Sequence, residues 1–438
     1  MTAGAFSQTR VVVAGAGFAG LFAAKDLAAK GFAVTVADKR NYHTFFPLLY
    51  QVAAAELEPE QIAYPARGVF RSRPNIAFAM AEVTGLDASR RVLTTDAGEI
   101  AYDYLLLALG SETNYFGVPG AREHAFGLKT LNEGVALRNH ILTCFERAAL
   151  TADPAARAAL LTFTIIGGGA TGIEYAGALR ELIKGPLTRD YGCAGSCGAK
   201  VMLLEAGSRL LPGFGDKLAA YAGERLRRMG VDIRLGAKVT RIEADCVHLD
   251  GGEILKTRTA AWTAGVRGPA AAAGFGLELG AGGRLAVTRY LQTPGHPEIF
   301  AAGDMAVAAG QPPIPMTAPA AIQEGRQAAR NIELLARGEP PEPFAYRDKG
   351  VMAVMGRGSA VAGFGRVSLT GLSAWLAWLF VHVAWLIGFR NRLVALSAWA
   401  ADFFFFERSV RLILPGPGPG GRTGAPGPSD LSGPDRPV

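Results

Sequence analysis

Hydrophobic and polar positions fall into two repeated blocks and one anomalous segment. "RVVVAGAGFAGLFAAKDLAAKG" starts with a β-branched apolar run that predicts a buried strand. It turns through Gly15-x-Gly17-x-x-Gly20 and continues as a helix ending near Gly31. The next run, "FAVTVAD", predicts a strand ending in Asp38. The block recurs downstream: "LTFTIIGGGATGIEYAGALREL" places Gly167, Gly169 and Gly172 in the same strand–turn–helix setting, and "AKVMLLEAG" predicts a strand ending in Glu205. The anomaly is "LSAWLAWLFVHVAWLIGFRNR", residues 372 to 392, which follows a stretch with the habit of a soluble enzyme. Val367 to Phe389 carry no formal charge, and a second apolar run, "LVALSAWAADFFFF", comes soon after. From 415 to 438 the chain is Pro- and Gly-rich with almost no apolar side chains, which predicts a disordered tail.

The glycine spacing has a physical reading. The first glycine allows a tight turn and the second lets a pyrophosphate approach the backbone. The third lets the helix pack close to the strand, and the helix offers its N-terminal N–H groups to the phosphates. Asp38 lies 18 residues after Gly20, where a carboxylate can accept from ribose hydroxyls. Glu205 lies 33 residues past Gly172, and the stretch "GPLTRDYGCAGSCG" reads as an inserted loop that accounts for the excess. An acid there accepts from a 2′-hydroxyl and repels a 2′-phosphate, so NADH is expected over NADPH. Two such sites imply two dinucleotides, FAD at the first and NADH at the second.

Totals narrow the field. The chain has 438 residues, 50% hydrophobic and 19% charged, with net charge +7. That length predicts two or three domains, and that charge suits an acidic partner such as nucleic acid or anionic lipid. No basic run with interleaved aromatics appears, which speaks against nucleic acid. Four cysteines (Cys144, Cys193, Cys197, Cys246) are too few for a disulfide scaffold, and a reducing compartment is the simpler reading. No metal site is expected. Disulfide reductases of this general plan carry a cysteine pair against the flavin, but "NYHTFFPLLYQVAAAELEPEQIA" has no cysteine.

"RNYHTFFPLLYQVA", "GGGATGIEYAGALREL", "AWTAGV", "FAAGD", "AAIQEGRQAARNI" and "GFRNRL" together resemble segments of the type II NADH dehydrogenases, single-subunit NADH:quinone oxidoreductases that pump no protons. The resemblance spans about residues 8 to 414 in the family's order. It implies FAD, NADH, a membrane quinone (ubiquinone or menaquinone), and peripheral or monotopic attachment at the cytoplasmic face of the inner membrane. It leaves a homodimer open. It places Lys39, Gly110, Asp304 and Gly265 among the cofactor-binding residues, Asp304 on the flavin ribitol. It matches Glu174 to a glutamate between the nicotinamide side and the flavin, and Gln323 to a glutamine lining the quinone entrance. Each has a plainer reading, Glu174 as a first-turn acid and Gln323 as a solvated polar residue. Where many members carry a glutamine four residues before Gln323, this chain has Pro319.

The expected fold is α/β: two Rossmann-like domains, one inserted in the other, plus a C-terminal helical membrane-association module. The FAD-binding domain would take 8–116 and 290–337, the NADH-binding domain 117–289, and the module 338–414. Lys349 to Leu414 hold seven basic residues (Lys349, Arg357, Arg366, Arg390, Arg392, Arg408, Arg411) against two acids, Asp402 and Glu407. With Trp375, Trp378, Trp385 and Trp399, that excess predicts an interfacial anchor on anionic lipid. A helix pair lying in one leaflet is favoured. A single helix spanning at 372–389 and a buried core or dimer helix are the other readings. His382 is either a quinone-side group or an ordinary interfacial histidine. The rival enzyme is a sulfide:quinone oxidoreductase, which needs redox cysteines at the flavin. A flavin-bearing membrane factor without turnover is the rival from another class.

Overall fold

The computed structural model describes residues 6–192, 197–308, 314–405, 408 and 410–413. Strands Arg10–Ala14 (β1), Ala33–Asp38 (β2), Ile76–Met80 (β3) and Tyr104–Leu107 (β4) pair in parallel in the order β4-β1-β2-β3, with helix Phe18–Ala29 (α1) between β1 and β2. Val11, Val12, Val13 and Ala14 are all fully buried, because helices cover the sheet. That is why β1 reads as an unbroken apolar run instead of an alternation. After a short helix, Leu49–Ala53 (α2), the chain builds a second all-parallel sheet. Its strands are Phe126–Gly127 (β5), Thr162–Ile166 (β6), Lys200–Glu205 (β7), Val231–Leu235 (β8) and Thr259–Trp262 (β9), in the order β5-β9-β6-β7-β8. Helices Leu131–Leu150 (α3), Ala170–Leu182 (α4) and Asp216–Met229 (α5) pack around it. A capping box starts α3: the Glu133 amide donates to Thr130 Oγ1 at 3.2 Å, and the Thr130 amide donates back to Glu133 Oε2 at 2.7 Å.

The chain then returns to its first sheet. Gln292–Thr293 (β10) and His296–Ala301 (β11) extend it, β11 running parallel to β4. Helix Ala318–Ala336 (α6) lies directly on α1, where a Cβ at Gly325 would meet Ala19 O at 2.3 Å. The first sheet therefore draws strands from both sides of the second in sequence.

The last part departs from the expected helical module in several ways. It opens with an antiparallel sheet, Val351–Val354 (β12), Ala360–Phe364 (β13) and Val367–Thr370 (β14), packed on α4 and α5. Two helices follow, Gly371–Trp385 (α7) and Phe389–Phe405 (α8). The segment 372–389 is not one helix. It breaks at Leu386–Gly388, where Gly388 takes φ +91°, and the Arg392 guanidinium closes the end of α7 by donating to Leu386 O at 2.7 Å and Ala384 O at 3.0 Å. Among the described residues no helix is long and apolar enough to cross a membrane. The spanning reading falls on that break.

The tryptophans and arginines are also used differently. Trp378 and Trp399 are buried in the core and only Trp385 stands well exposed. Arg408 is buried, Arg411 pairs with Asp190 at 2.7 Å, and Arg357 donates to the Asp402 and Phe403 carbonyls. Part of the expected cationic anchor is therefore engaged within the protein, while Lys349, Arg366 and Arg390 stay exposed. The insertion after α4 begins as helix, not loop: a π-turn at Ile183–Leu187 carries Pro186, whose missing N–H and fixed ring favour the wide turn. Cys197 is disulfide-bonded, and Cys193, Glu407 and the 415–438 tail lie outside the described residues.

Candidate active site

The two glycine loops repeat the same constraints. Gly15 and Gly167 take φ +108° and +112°, a region open to glycine at little cost. A Cβ at Gly15 would meet Ala108 O at 2.3 Å, and one at Gly167 would meet Ala264 Cα at 2.6 Å. At both Gly20 and Gly172 a Cβ would lie 1.9 Å from the carbonyl of the first glycine of its own loop. Gly17 and Gly169, by contrast, are the residues before α1 and α4 and have open space where a Cβ would sit. Each loop thus leaves a concavity over a helix N-terminus, shaped for a pyrophosphate. The residues fit both dinucleotides on that geometry.

Asp38 and Glu205 end their strands beneath these loops. The Ala16 amide donates to Asp38 Oδ2 at 2.7 Å, and the Gly168 amide donates to Glu205 Oε2 at 2.6 Å. The other oxygens accept from the Arg40 amide at 2.8 Å and the Gly207 amide at 2.6 Å. Spacing alone suggested only ribose contact; the carboxylates also hold the loops. Each oxygen keeps a second lone pair for a ligand hydroxyl. Lys39 points to the surface and pairs with Glu82 at 2.9 Å.

Asp304 sits in the short 3-10 turn after β11 and accepts from Ser111 Oγ at 2.6 Å and Lys129 Nζ at 3.0 Å. It therefore gathers three parts of the chain, just past the left-handed Gly110 (φ +76°). Gly265 lies against Phe116, where a Cβ would be 2.8 Å from the ring. His43, which sequence reasoning did not single out, is buried under the first loop with Nδ1 2.9 Å from Ala16 O and no partner on Nε2. Burial pulls its pKa down to about 4, so it is neutral. A histidine inside an apolar, aromatic run was the available signal.

Glu174 is buried on α4 and accepts from the Val354 amide of β12 at 3.3 Å. Burial pushes its carboxyl up to about 8, with that hydrogen bond opposing, so it carries a proton at neutral pH. Its plain reading, a first-turn acid complementing the helix dipole, fails because no acid lies in the first turn of α4. Beside it, Tyr50 of α2 accepts from Gln51 Nε2 at 3.0 Å, and Gln51 Oε1 accepts from Trp399 Nε1 at 2.9 Å. Tyr50, Gln51, Val354 and Trp399 help line an internal cavity of about 30 Å³, room for about one water. Glu56, Glu181 and Asp402 also line this cavity, and Arg408 behind them donates to Glu181 and Asp402, both at 3.2 Å, and lies 3.5 Å from Glu56. Burial raises Glu56 to about 8 and raises Glu181 as well, while Arg408 and Arg357 pull the other way.

Gln323 is hydrogen-bonded through both ends of its side-chain amide. Its amide nitrogen donates to Pro319 O at 3.1 Å and Arg347 O at 3.0 Å, and its oxygen accepts from the Arg347 amide at 3.0 Å. It pins the segment after α6. His382 donates through Nδ1–H to Trp378 O, 2.7 Å away, stacks on Trp378, and faces Phe45 edge-on; burial lowers it to about 4. Free Cys144 and Cys246 are buried, and burial raises both thiols. Cys246, Glu243 and His248 place ligand-type atoms within 4.8 Å of one another on a hairpin, a grouping no spacing rule anticipated.

Two dinucleotide cradles on two parallel sheets, interleaved in sequence, define a two-nucleotide flavoprotein, and the profile of the pyridine nucleotide-disulphide oxidoreductases matches residues 9–325. Within that class the chain belongs to the type II NADH:quinone oxidoreductase family: it is 37% identical over 419 residues to such an enzyme of Mycobacterium tuberculosis, covering 92% of this chain and 90% of that one. A type II NADH:quinone oxidoreductase of Staphylococcus epidermidis is 31% identical, covering 81% and 89%. Among solved structures, NDH2 from Plasmodium falciparum in complex with NADH superposes with TM-score 0.85 over 93% of this chain and all of the other, at 17% identity. The sulfide:quinone oxidoreductase of Aquifex aeolicus, the rival, superposes with TM-score 0.72 over 91% and 95%, at 20% identity. These last two likenesses concern the fold alone.

Proposed function

We propose that this chain oxidises NADH and passes the two electrons through FAD to a quinone held in a membrane, moving no proton across it. The observation that carries the reading is the paired glycine cradle ending in Asp38 and Glu205, in a chain of this family. When bound, FAD supplies the chemistry, taking a hydride from NADH and releasing electrons to the quinone. The first cradle, with Asp38 and Asp304, would hold FAD. The second, with Glu205, would hold NADH and disfavour a 2′-phosphate. On this reading 8–116 with 290–337 form the FAD-binding domain and 117–289 the NADH-binding domain.

Protonated Glu174 is the chain's own acid beside the reaction centre, and the Tyr50–Gln51–Trp399 bonds hold the surrounding side chains. Gln323 would line the quinone entrance, held there by its bonds to the Arg347 backbone. The exposed apolar side chains of α7 and α8, Leu372, Leu376, Phe380, Trp385, Phe389 and Leu393, would lie in one leaflet of the cytoplasmic face of the inner membrane. Steady-state turnover with a soluble quinone tests the reading, with NADH, NADPH and sulfide compared as donors. NADH should be used far better than either. Turnover driven by sulfide, or by both nucleotides equally, would overturn it.

A further inference from the structure

Several of the basic residues expected to grip lipid are engaged within the protein, and a basic recess lies elsewhere. The end of α4, its π-turn and one face of α5 enclose a hollow of about 510 Å³. Five cationic side chains line it, Arg180, Lys184, Arg189, Arg225 and Arg228, and Phe405 from the end of α8 stands at its rim. The one acid there, Glu181, already accepts from Arg408 at 3.2 Å and from the Arg357 amide at 2.7 Å. Arg180 is committed to the Met229 and Ala199 carbonyls, and Arg228 makes an exposed pair with Glu224 at 3.4 Å. Among the described residues neither Lys184 nor Arg225 has an ion-pair partner, and Arg225 Nε is buried without a hydrogen bond.

Position decides what such a hollow would meet. Phe404 and Phe405 are 73% and 69% exposed and continue the apolar surface of α7 and α8. If that surface sits among acyl chains, the recess lies at its margin, level with headgroups. Guanidinium forks and an ammonium converging on one hollow suit a phosphodiester, and basic pockets beside membrane-embedded surfaces take anionic headgroups. We infer that this recess binds the phosphodiester headgroup of an anionic phospholipid. The inference rests on the membrane-docking reading of α7 and α8 given above.

Flotation of the full-length holoprotein with vesicles tests it. Vesicles of phosphatidylcholine alone are compared with phosphatidylcholine containing phosphatidylglycerol. The Lys184→Gln/Arg225→Gln variant is compared with Arg147→Gln/Arg157→Gln, which removes the same charge from exposed positions on α3 and the next helix. The first variant should lose about tenfold or more of its affinity for anionic vesicles and almost none for neutral ones. The second should lose much less, and both should keep their flavin and their NADH oxidation with a soluble acceptor. Equal losses in the two variants would reduce the effect to diffuse charge and overturn the site. So would unchanged binding by the first variant. Thermal protection by soluble glycerol phosphate, present in wild type and absent in the first variant without vesicles, would assign the recess to a free phosphate instead. Failure of the wild type to bind any vesicle would sink the docking reading itself, a result distinct from the other three.

Discussion

Glu174 holds its proton because desolvation outweighs its single bond from the Val354 amide. A carboxyl raised from 4.5 to about 8 in the folded state means the native protein binds the extra proton between those values. Its contribution to stability is then fully present below pH 4.5 and is lost as pH rises toward about 8. Glu174→Gln should flatten part of that decline in thermal unfolding measured across the window. In stopped-flow reoxidation of the reduced flavin by quinone, wild type should slow as pH passes about 8, where Glu174 loses its proton. The variant should be slower by roughly tenfold or more below that pH and should lack the break. An unchanged break would assign the proton to another group. Glu205 gives the second residue-scale expectation. Glu205→Gln removes the charge that repels a 2′-phosphate, so the ratio of kcat/KM for NADH over NADPH should fall. The absolute value with NADH should fall too, because a carboxamide cannot accept from both the Gly168 and Gly207 amides with full charge. The glycine and acid positions were legible in sequence because local backbone geometry demands them. Tyr50, Gln51 and His43 were not, since an aromatic, an amide or an imidazole in an apolar run carries no mark of what folds against it.

At the scale of elements, the C-terminal helices are fastened to the body of the enzyme by polar groups, not by apolar burial alone. Asn391 donates to Glu60 O at 3.2 Å and Ala63 O at 3.1 Å, Trp399 reaches Gln51, and Arg408 closes on three carboxylates and the Ala54 and Ala178 carbonyls. Removing the cation of such a cluster leaves buried charge unpaired, which costs about 3–5 kcal/mol. Arg408→Met should therefore lower the melting temperature markedly at pH 8. The deficit should shrink at low pH, where Glu56 and Glu181, already raised by burial, take up protons. A deficit independent of pH would mean that Arg408 acts through packing only. The apolar runs of α7 and α8 were visible in sequence, and so was a break near the following arginines. Which arginines stay exposed was not. Arg408 and Arg390 look alike in composition, and two of the three acids that claim Arg408, Glu56 and Glu181, lie far upstream, so only the tertiary fold separates them. The sheet β12–β14 escaped for a related reason, its strands being short and separated by glycine-bearing turns.

At the scale of the whole molecule, the proposed membrane docking gives the enzyme two faces with different solvents. The glycine cradles belong to the two sheets built on parallel strands, whereas nine exposed large apolar residues cluster on α7 and α8. Deleting that region would not separate the two functions, because Ala374, Trp378, Ala395 and Trp399 are core residues. Its loss would open the body of the protein to water. A sharper separation changes only side chains that already face outward. Leu372, Leu376 and Phe380 recur every four residues on α7 and are 54%, 52% and 76% exposed. Converting all three to glutamine leaves the buried face of α7 intact, so the melting temperature should hold within a few degrees. Reduction of the flavin by NADH, followed by stopped flow, should stay within about twofold of wild type, since no cradle residue is touched. Binding to vesicles should drop by at least about tenfold, given the apolar area withdrawn from lipid. Turnover with a long-tailed quinone in vesicles should fall with it, while a short-chain quinone delivered from water should be reduced at near the original rate. If the variant keeps full turnover with the long-tailed quinone, the acceptor does not arrive through this face. If flavin reduction is lost instead, α7 supports the nucleotide sites and the division between the two faces is wrong.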